Sequence, residues 1–260
     1  MLAVEKKGPV AYVTLDRPEV RNAFDDSLIE RLRLVFLEIE RDESTRAMVL
    51  GGNGTAFCAG ADLNWMKRMA SYGYEENLAD ARALAQMLAA LDRMSKPTIA
   101  RVHGPVFAGG TGLVAACDIA VGTAEAKFCF SEAKLGLSPA TIGPYVVRAI
   151  GERAARRYFL TAEVFDATEA HRIRMLSALV PAAELDSSID AILKHLLAGG
   201  SHAMARIKDL IRTVTGAPLD EAMIGETAKR IAEIRVSPEG REGIASFLEK
   251  RKPSWTSGKN

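Results

Sequence analysis

Two stretches of this chain are nearly bare of side chain where a backbone can do chemistry. Ala56-Phe57-Cys58-Ala59-Gly60-Ala61-Asp62-Leu63 and His103-Gly104-Pro105-Val106-Phe107-Ala108-Gly109-Gly110-Thr111-Gly112-Leu113 each run through Ala and Gly toward a helix start. Small residues let a ligand approach main-chain N–H groups, and a helix N-terminus behind them adds partial positive charge. Each stretch suits a group that is anionic or becomes so. Side by side at the carboxyl ends of neighbouring parallel strands, the two would form an oxyanion hole, fixed donors aimed at developing negative charge. Either stretch alone is equally explained by close helix–strand packing through glycine.

Competing chemistries lack their motifs. There is no G-x-x-x-x-G-K-[ST], no G-x-G-x-x-G after a strand and no G-x-S-x-G elbow. His103, His171, His195 and His202 do not pair with Cys or carboxylates at metal-ligand spacing, so no metal is expected. Asp62, in the first turn of a helix, reads as a cap, and Asp118 as a structural acceptor. Cys58, Cys117 and Cys129 are odd in number and sit among apolar and small residues, which suits buried thiols in a reducing compartment.

The elements that must position these loops alternate between two periods. Val10 to Leu15 reads as a strand ended by Asp16-Arg17-Pro18, and Asp26 or Ser27 as the cap of a helix with apolar Leu28, Leu32, Val35, Phe36 and Ile39. Ala47 to Gly51 is expected as a buried strand, Asp62 to Met69 as a helix start, and Glu76 to Met94 as a long helix. Thr98 to Val102 reads as a strand, Gly104 to Gly109 as a loop, and Gly110 to Cys117 as a small-residue helix. Further strands are expected at Ile119 to Gly122, Lys127 to Phe130 and Ala178 to Val180, and helices dominate after Thr141. This order argues an α/β layered core with parallel pairing.

The chain of 260 residues has 34 Lys+Arg against 33 Asp+Glu, a net charge of +1, and 48% hydrophobic residues. At this length folding buries about 70–75% of the unfolded surface, enough for a core without staples. The balanced charge offers no broad field for nucleic acid or an anionic membrane. Gly104 to Cys117, the least polar stretch, carries Pro105 and meets Asp118 before reaching spanning length. The start, Met1-Leu2-Ala3-Val4-Glu5-Lys6-Lys7, has no leader pattern, and a cytoplasmic location is expected.

Taken together, the residues resemble the crotonase, or enoyl-CoA hydratase/isomerase, superfamily. The matches are Leu15-Asp16-Arg17-Pro18, Asn22-Ala23, Ala59-Gly60-Ala61-Asp62-Leu63, Lys96-Pro97-Thr98-Ile99-Ala100 leading to Gly109-Gly110, Cys117-Asp118-Ile119, Phe128 with Glu132, Leu135-Gly136-Leu137, and Phe247 to Lys252. They run nearly end to end. The resemblance implies a spiral of strand-strand-helix turns over residues 1–195 and a helical oligomerisation region over 196–260. It also implies a homotrimer or dimer of trimers. The substrate would be an acyl-CoA thioester, with coenzyme A arriving as part of it and no cofactor permanently bound. It places the oxyanion donors on the amides of Ala59 and Gly109 and the acid/base on Glu132. Phe128, Phe130, Ala133 and Leu135 are the neighbours expected to desolvate that carboxyl. Ala23, Ala61, Asp62 and Leu63 would meet the CoA moiety, as would Phe247 and Lys250 from an adjacent subunit, with Lys67 and Arg68 as further candidates by position.

One departure is informative. Two-glutamate hydratases carry a second Glu where this chain has Gly112. Hydration by a single glutamate, in the manner of hydratases of branched glutaconyl thioesters such as 3-methylglutaconyl-CoA, is the expected activity. The stretch Tyr145 to Tyr158 is similar to that subgroup. Double-bond isomerisation by one glutamate is the alternative, and an inactive CoA- or RNA-binding member is the reading from another class.

Overall fold

The computed structural model describes residues 1–256, so the last four residues of the region expected over 196–260 lie outside it. The chain folds as two compact units, Met1–Met94 with Thr98–Ala191, and Ser95–Pro97 with Ile192–Asn260.

The first unit holds a large sheet and a smaller layer, and successive turns of chain pass from one to the other. The large sheet has the order β1 (Leu2–Lys7), β2 (Val10–Leu15), β3 (Ala47–Gly52), β4 (Thr98–Val102), β6 (Ile119–Thr123), β9 (Ala178–Val180). From β2 onward the pairing is parallel, while β1 runs antiparallel to β2 in the register Leu2 to Leu15 through Lys7 to Val10. The smaller layer holds β5 (Pro105–Phe107), β7 (Lys127–Cys129) and β8 (Phe165–Asp166). Single parallel bridges, Cys58 to Val106 and Phe24 to Ala61, carry this layer back to the loops after β3 and β2.

Local chemistry explains the helices. In α1 (Asp26–Arg41) the stripe Leu28, Leu32, Val35, Phe36 and Ile39 is buried. Its cap is Asp25, one residue ahead of the expected Asp26 or Ser27, because the Asp25 carboxylate reaches the Leu28 amide at 2.8 Å. Asp62 caps α2 (Leu63–Met69). The next helix, α3 (Tyr74–Asp92), begins two residues before Glu76, whose carboxylate reaches back to the Gly73 amide at 2.8 Å. Gly110 through Ala116 of α4 (Gly109–Ala116) are all buried, the close packing that a small-residue helix allows. Then follow α5 (Gly143–Thr161) and α6 (Ala167–Arg172). The spiral expected from the resemblance is thus present: β1-β2-α1, β4-β5-α4 and β6-β7-α5 are strand-strand-helix turns.

Three strands were not legible in the sequence. β1 is a largely exposed edge strand whose second half, Glu5-Lys6-Lys7, is charged, β5 lies inside the glycine-rich segment expected as loop, and β8 is two residues long. After α7 (Leu185–Ala198), the second unit contains α8 (Ser201–Val214), α9 (Glu221–Val236) and α10 (Pro238–Leu248). No described helix is long and apolar enough to cross a membrane.

Candidate active site

The loop after β3 is held by a neighbouring loop that begins with two left-handed residues, Arg21 (φ 53°) and Asn22 (φ 58°). Asn22 is wholly buried, and its side-chain amide donates to the carbonyls of Asn53 and Ala56 at 2.9 and 2.8 Å while its oxygen accepts from the Arg17 amide. Beyond this tie the Ala59 amide donates to the Arg21 carbonyl at 3.0 Å. Ala59, expected to face a ligand, is therefore not an oxyanion donor: its N–H is already spent within the fold.

The next residues show where a donor does arise. Phe24 N–H donates to Gly60 O, and Asp62 N–H donates to Phe24 O, both at 2.7 Å. Amides three residues apart in an extended chain face opposite sides, yet those of Ala59 and Asp62 both face the Phe24 side. The alternation is reset once between them, at Gly60, whose φ of +98° suits glycine. Ala61 therefore turns its amide away from Phe24, and among the described residues that amide has no acceptor.

The second loop pairs with the first. Cys58 N–H donates to Pro105 O, Phe107 N–H to Cys58 O, and Ala108 N–H to Cys129 O. A Cβ on Gly60 would stand 3.3 Å from the Ala108 Cβ, so the two loops touch, and one on Gly109 would stand 2.7 Å from Cε2 of the buried Phe24 ring. Ala108 adopts φ 45°, ψ −119°, a conformation foreign to L-residues, held by its own amide bond and by Thr111, whose N–H and Oγ1 both donate to Ala108 O. Gly109 begins α4, where an N–H has no intrahelical acceptor.

Glu132 arrives by the parallel pairing of β5 with β7, in which Phe107 lies opposite Cys129. Three residues on, Glu132 opens a one-turn 3₁₀ segment, and its carbonyl accepts from the Leu137 amide. Its Oε2 is buried without a hydrogen-bond partner, and burial pushes its pKa up, partly offset by its own amide. Phe128 and Phe130 below it are wholly buried in a ring cluster with Tyr158, Phe159 and Phe165. The expected neighbours Ala133 and Leu135 are exposed and do not seal the carboxyl.

Other candidates sort by their bonds. Every polar group of Asp62 is engaged: Oδ1 accepts from the Asn64 and Trp65 amides, Oδ2 from Arg17 at 3.2 Å, its N–H goes to Phe24, and its carbonyl accepts from Met66. Asp62 is a helix cap, with no free polar group to offer the CoA moiety it was expected to meet. Ala23 is buried, its amide bonded to Val20 and its carbonyl to Arg17, so it offers a wall and no polar group. Leu63 is 73% exposed, and Arg68 is paired with Asp26 at 2.8 Å. Asp118 binds the amide and hydroxyl of Thr98, a structural tie between β4 and the start of β6. In the second unit Phe247 is 82% exposed in the last turn of α10, and Lys250 follows with φ 54°. The described residues contain no cluster of metal-ligating side chains.

A family profile for enoyl-CoA hydratase/isomerase matches residues 5–258. The chain belongs to this family. It is an enzyme of the hydratase/isomerase class, whose substrates are CoA thioesters. An enoyl-CoA hydratase of Shewanella pealeana is similar at 43% identity and a TM-score of 0.96, over 98% of this chain and 95% of that one. An enoyl-CoA hydratase of Alternaria alternata is 34% identical over 90% of this chain and 77% of its own length. The short-chain-enoyl-CoA hydratase of Clostridium acetobutylicum is 29% identical over 96% and 95%. For this hydratase/isomerase-family enzyme, sequence reasoning missed Phe24, Ala108 and the unpartnered amide of Ala61; the one available signal was Gly60, a residue that resets amide direction.

Proposed function

We propose that the protein hydrates an enoyl-CoA through an enolate held by the amides of Ala61 and Gly109, with Glu132 as the one acid/base. The observation that carries this is the unpartnered, buried Oε2 of Glu132, reached by the same strand pairing that places Gly109. The Glu132 carboxylate takes a proton from water as the water oxygen bonds to the β-carbon. The π electrons move to the thioester oxygen, where the two amides meet the charge. The enolate then collapses as Glu132 returns its proton to the α-carbon, so that one water is added and the carboxylate is regenerated. Each preorganised donor is worth about 3–4 kcal/mol in the transition state, and proton transfer by a placed carboxyl contributes about 10²–10⁴-fold. Burial assists by raising the proton affinity of a group that must both take and give.

The acyl group is proposed to be branched and of the glutaconyl type, on the resemblance of Tyr145 to Tyr158. Ala23 and Leu63 would line the way to the CoA moiety, with Phe247 and Lys250 toward its nucleotide end. The exposed faces of α8 to α10 support a homotrimer or dimer of trimers, the thiols of Cys58, Cys117 and Cys129, with no disulfide between them, support a reducing, cytoplasmic location, and the charge balance supports the absence of nucleic-acid partners.

A second reading, isomerisation between 2- and 3-enoyl-CoA, is favoured at Gly112, where Ile142 and Leu88 stand in the space a side chain would take, since a proton shuttle needs one base and no water. A panel of crotonyl-, 3-methylglutaconyl- and 3-enoyl-CoA separates the two. Loss of conjugated absorbance with either of the first two substrates supports hydration. Inertness to both, with conversion of the third to its 2-enoyl form, would replace hydration by isomerisation.

A further inference from the structure

Gly112 lies one turn beyond Gly109 in α4, so the two share a helix face. A Cβ built on Gly112 would stand 2.4 Å from Ile142 Cγ2, 2.9 Å from Ile142 Cβ and 3.6 Å from Leu88 Cδ1. The space next to the proposed oxyanion amide is therefore already filled, from another element, by a branched aliphatic side chain. Ile142 has little freedom to leave it. It is 2% exposed, and its carbonyl accepts from both the Tyr145 and Val146 amides, which fixes it to the first turn of α5. Leu88, the other neighbour, is wholly buried in α3. A carboxylate projecting from position 112 would be pressed between two aliphatic groups, where an ionised group is costly to hold.

We infer that Ile142 is a specificity-determining residue: it occupies the volume beside the thioester site from which a second carboxylate would act, and Gly112 is bare because Ile142 is there. The pair makes the site a single-carboxylate site and places aliphatic surface where a second base would hold water. This inference rests on the reading of Glu132 as the acid/base.

The test uses the full chain and crotonyl-CoA hydration, with thermal melts as the measure of folding. Gly112→Ala is expected to melt lower than the wild type. Adding Ile142→Ala should recover most of that loss, a coupling expected of residues that compete for one space. The double variant Gly112→Glu/Ile142→Ala is expected to hydrate crotonyl-CoA about tenfold or more faster than Ile142→Ala alone, the lower end of what a placed acid/base supplies. A folded double variant no faster than Ile142→Ala overturns the inference. Should that variant fail to fold, the alanine pair decides: a Gly112→Ala protein as stable as the wild type, or no recovery on adding Ile142→Ala, overturns it equally. Glu132→Gln in the wild-type background separates the two layers. An active Glu132→Gln protein removes the underlying reading, whereas an inactive one beside an unimproved double variant removes only the role of Ile142.

Discussion

A carboxylate oxygen under cover with no donor to meet it is costly in a folded protein, and at Glu132 that cost is tied to the proposed chemistry. Burial raises the Glu132 pKa, so the folded state holds its proton more tightly than the unfolded chain does. In the window from the ordinary carboxylate value up to the raised folded one, the native state binds more protons, and stability falls as pH rises through it. Glu132→Gln, which keeps the shape and removes the charge, is therefore expected to melt no lower than the wild type at neutral pH. Its turnover should fall by about 10²–10⁴-fold. A melt compared with an enoyl-CoA assay checks both halves. Because hydration begins with the carboxylate as base, kcat/KM of the wild type should decline as pH drops through this raised value, leaving an acid limb displaced upward from the ordinary glutamate range. Glu132 in turn raises the pKa of the nearby Cys129 thiol, after burial and against the opposing pull of Lys134, and Cys129 donates no hydrogen bond to Oε2.

At the scale of elements, the strained turn before α4 carries the same logic. Ala108 holds a backbone conformation that costs about 1–3 kcal/mol for a residue with a Cβ. Its amide bond to Cys129 and the two donors of Thr111 over-determine it. Ala108→Gly should relieve the strain and leave the melting temperature equal or higher. Turnover should fall while KM changes little, since a freer residue aims the Gly109 amide less well; unchanged turnover would remove Ala108 as a positioning residue. Gly109→Ala acts oppositely, forcing a methyl to 2.7 Å from the Phe24 ring. It should cost about 1–3 kcal/mol in a denaturant melt. The long elements were legible because their signals are local: the stripe of α1, the apolar run of β3, and Asp62 ahead of α2. The unpartnered amide of Ala61 was not. Which amide faces the ligand depends on the single reversal at Gly60 and on what Arg21 and Phe24 already take, and those partners lie more than thirty residues away in sequence. The filling of Gly112 by Ile142 is hidden for the same reason.

At the scale of the whole molecule, the second unit leaves apolar side chains in water. Ile207, Ile211 and Val214 recur at helical spacing on α8 with exposures of 52%, 56% and 40%, and Phe247 and Leu248 stand out on α10. Faces of this kind mark contact surfaces. The protein is expected to sediment as three or six chains, and Ile207→Lys with Ile211→Lys to shift it toward smaller species; a monomeric wild type would contradict this. In the first unit, successive turns of one spiral set the residue-24, Ala61, β5 and β7 segments side by side, so the amides proposed to serve one oxygen come from residues nearly fifty apart. That convergence is tested most directly by isotope-edited infrared spectroscopy of an enoyl-CoA labelled with ¹³C at its thioester carbonyl, bound to Glu132→Gln. The account predicts a carbonyl stretch moved to lower frequency than in water, and moved back when Gly109→Ala is added. A bound carbonyl with the frequency of the free thioester would contradict it.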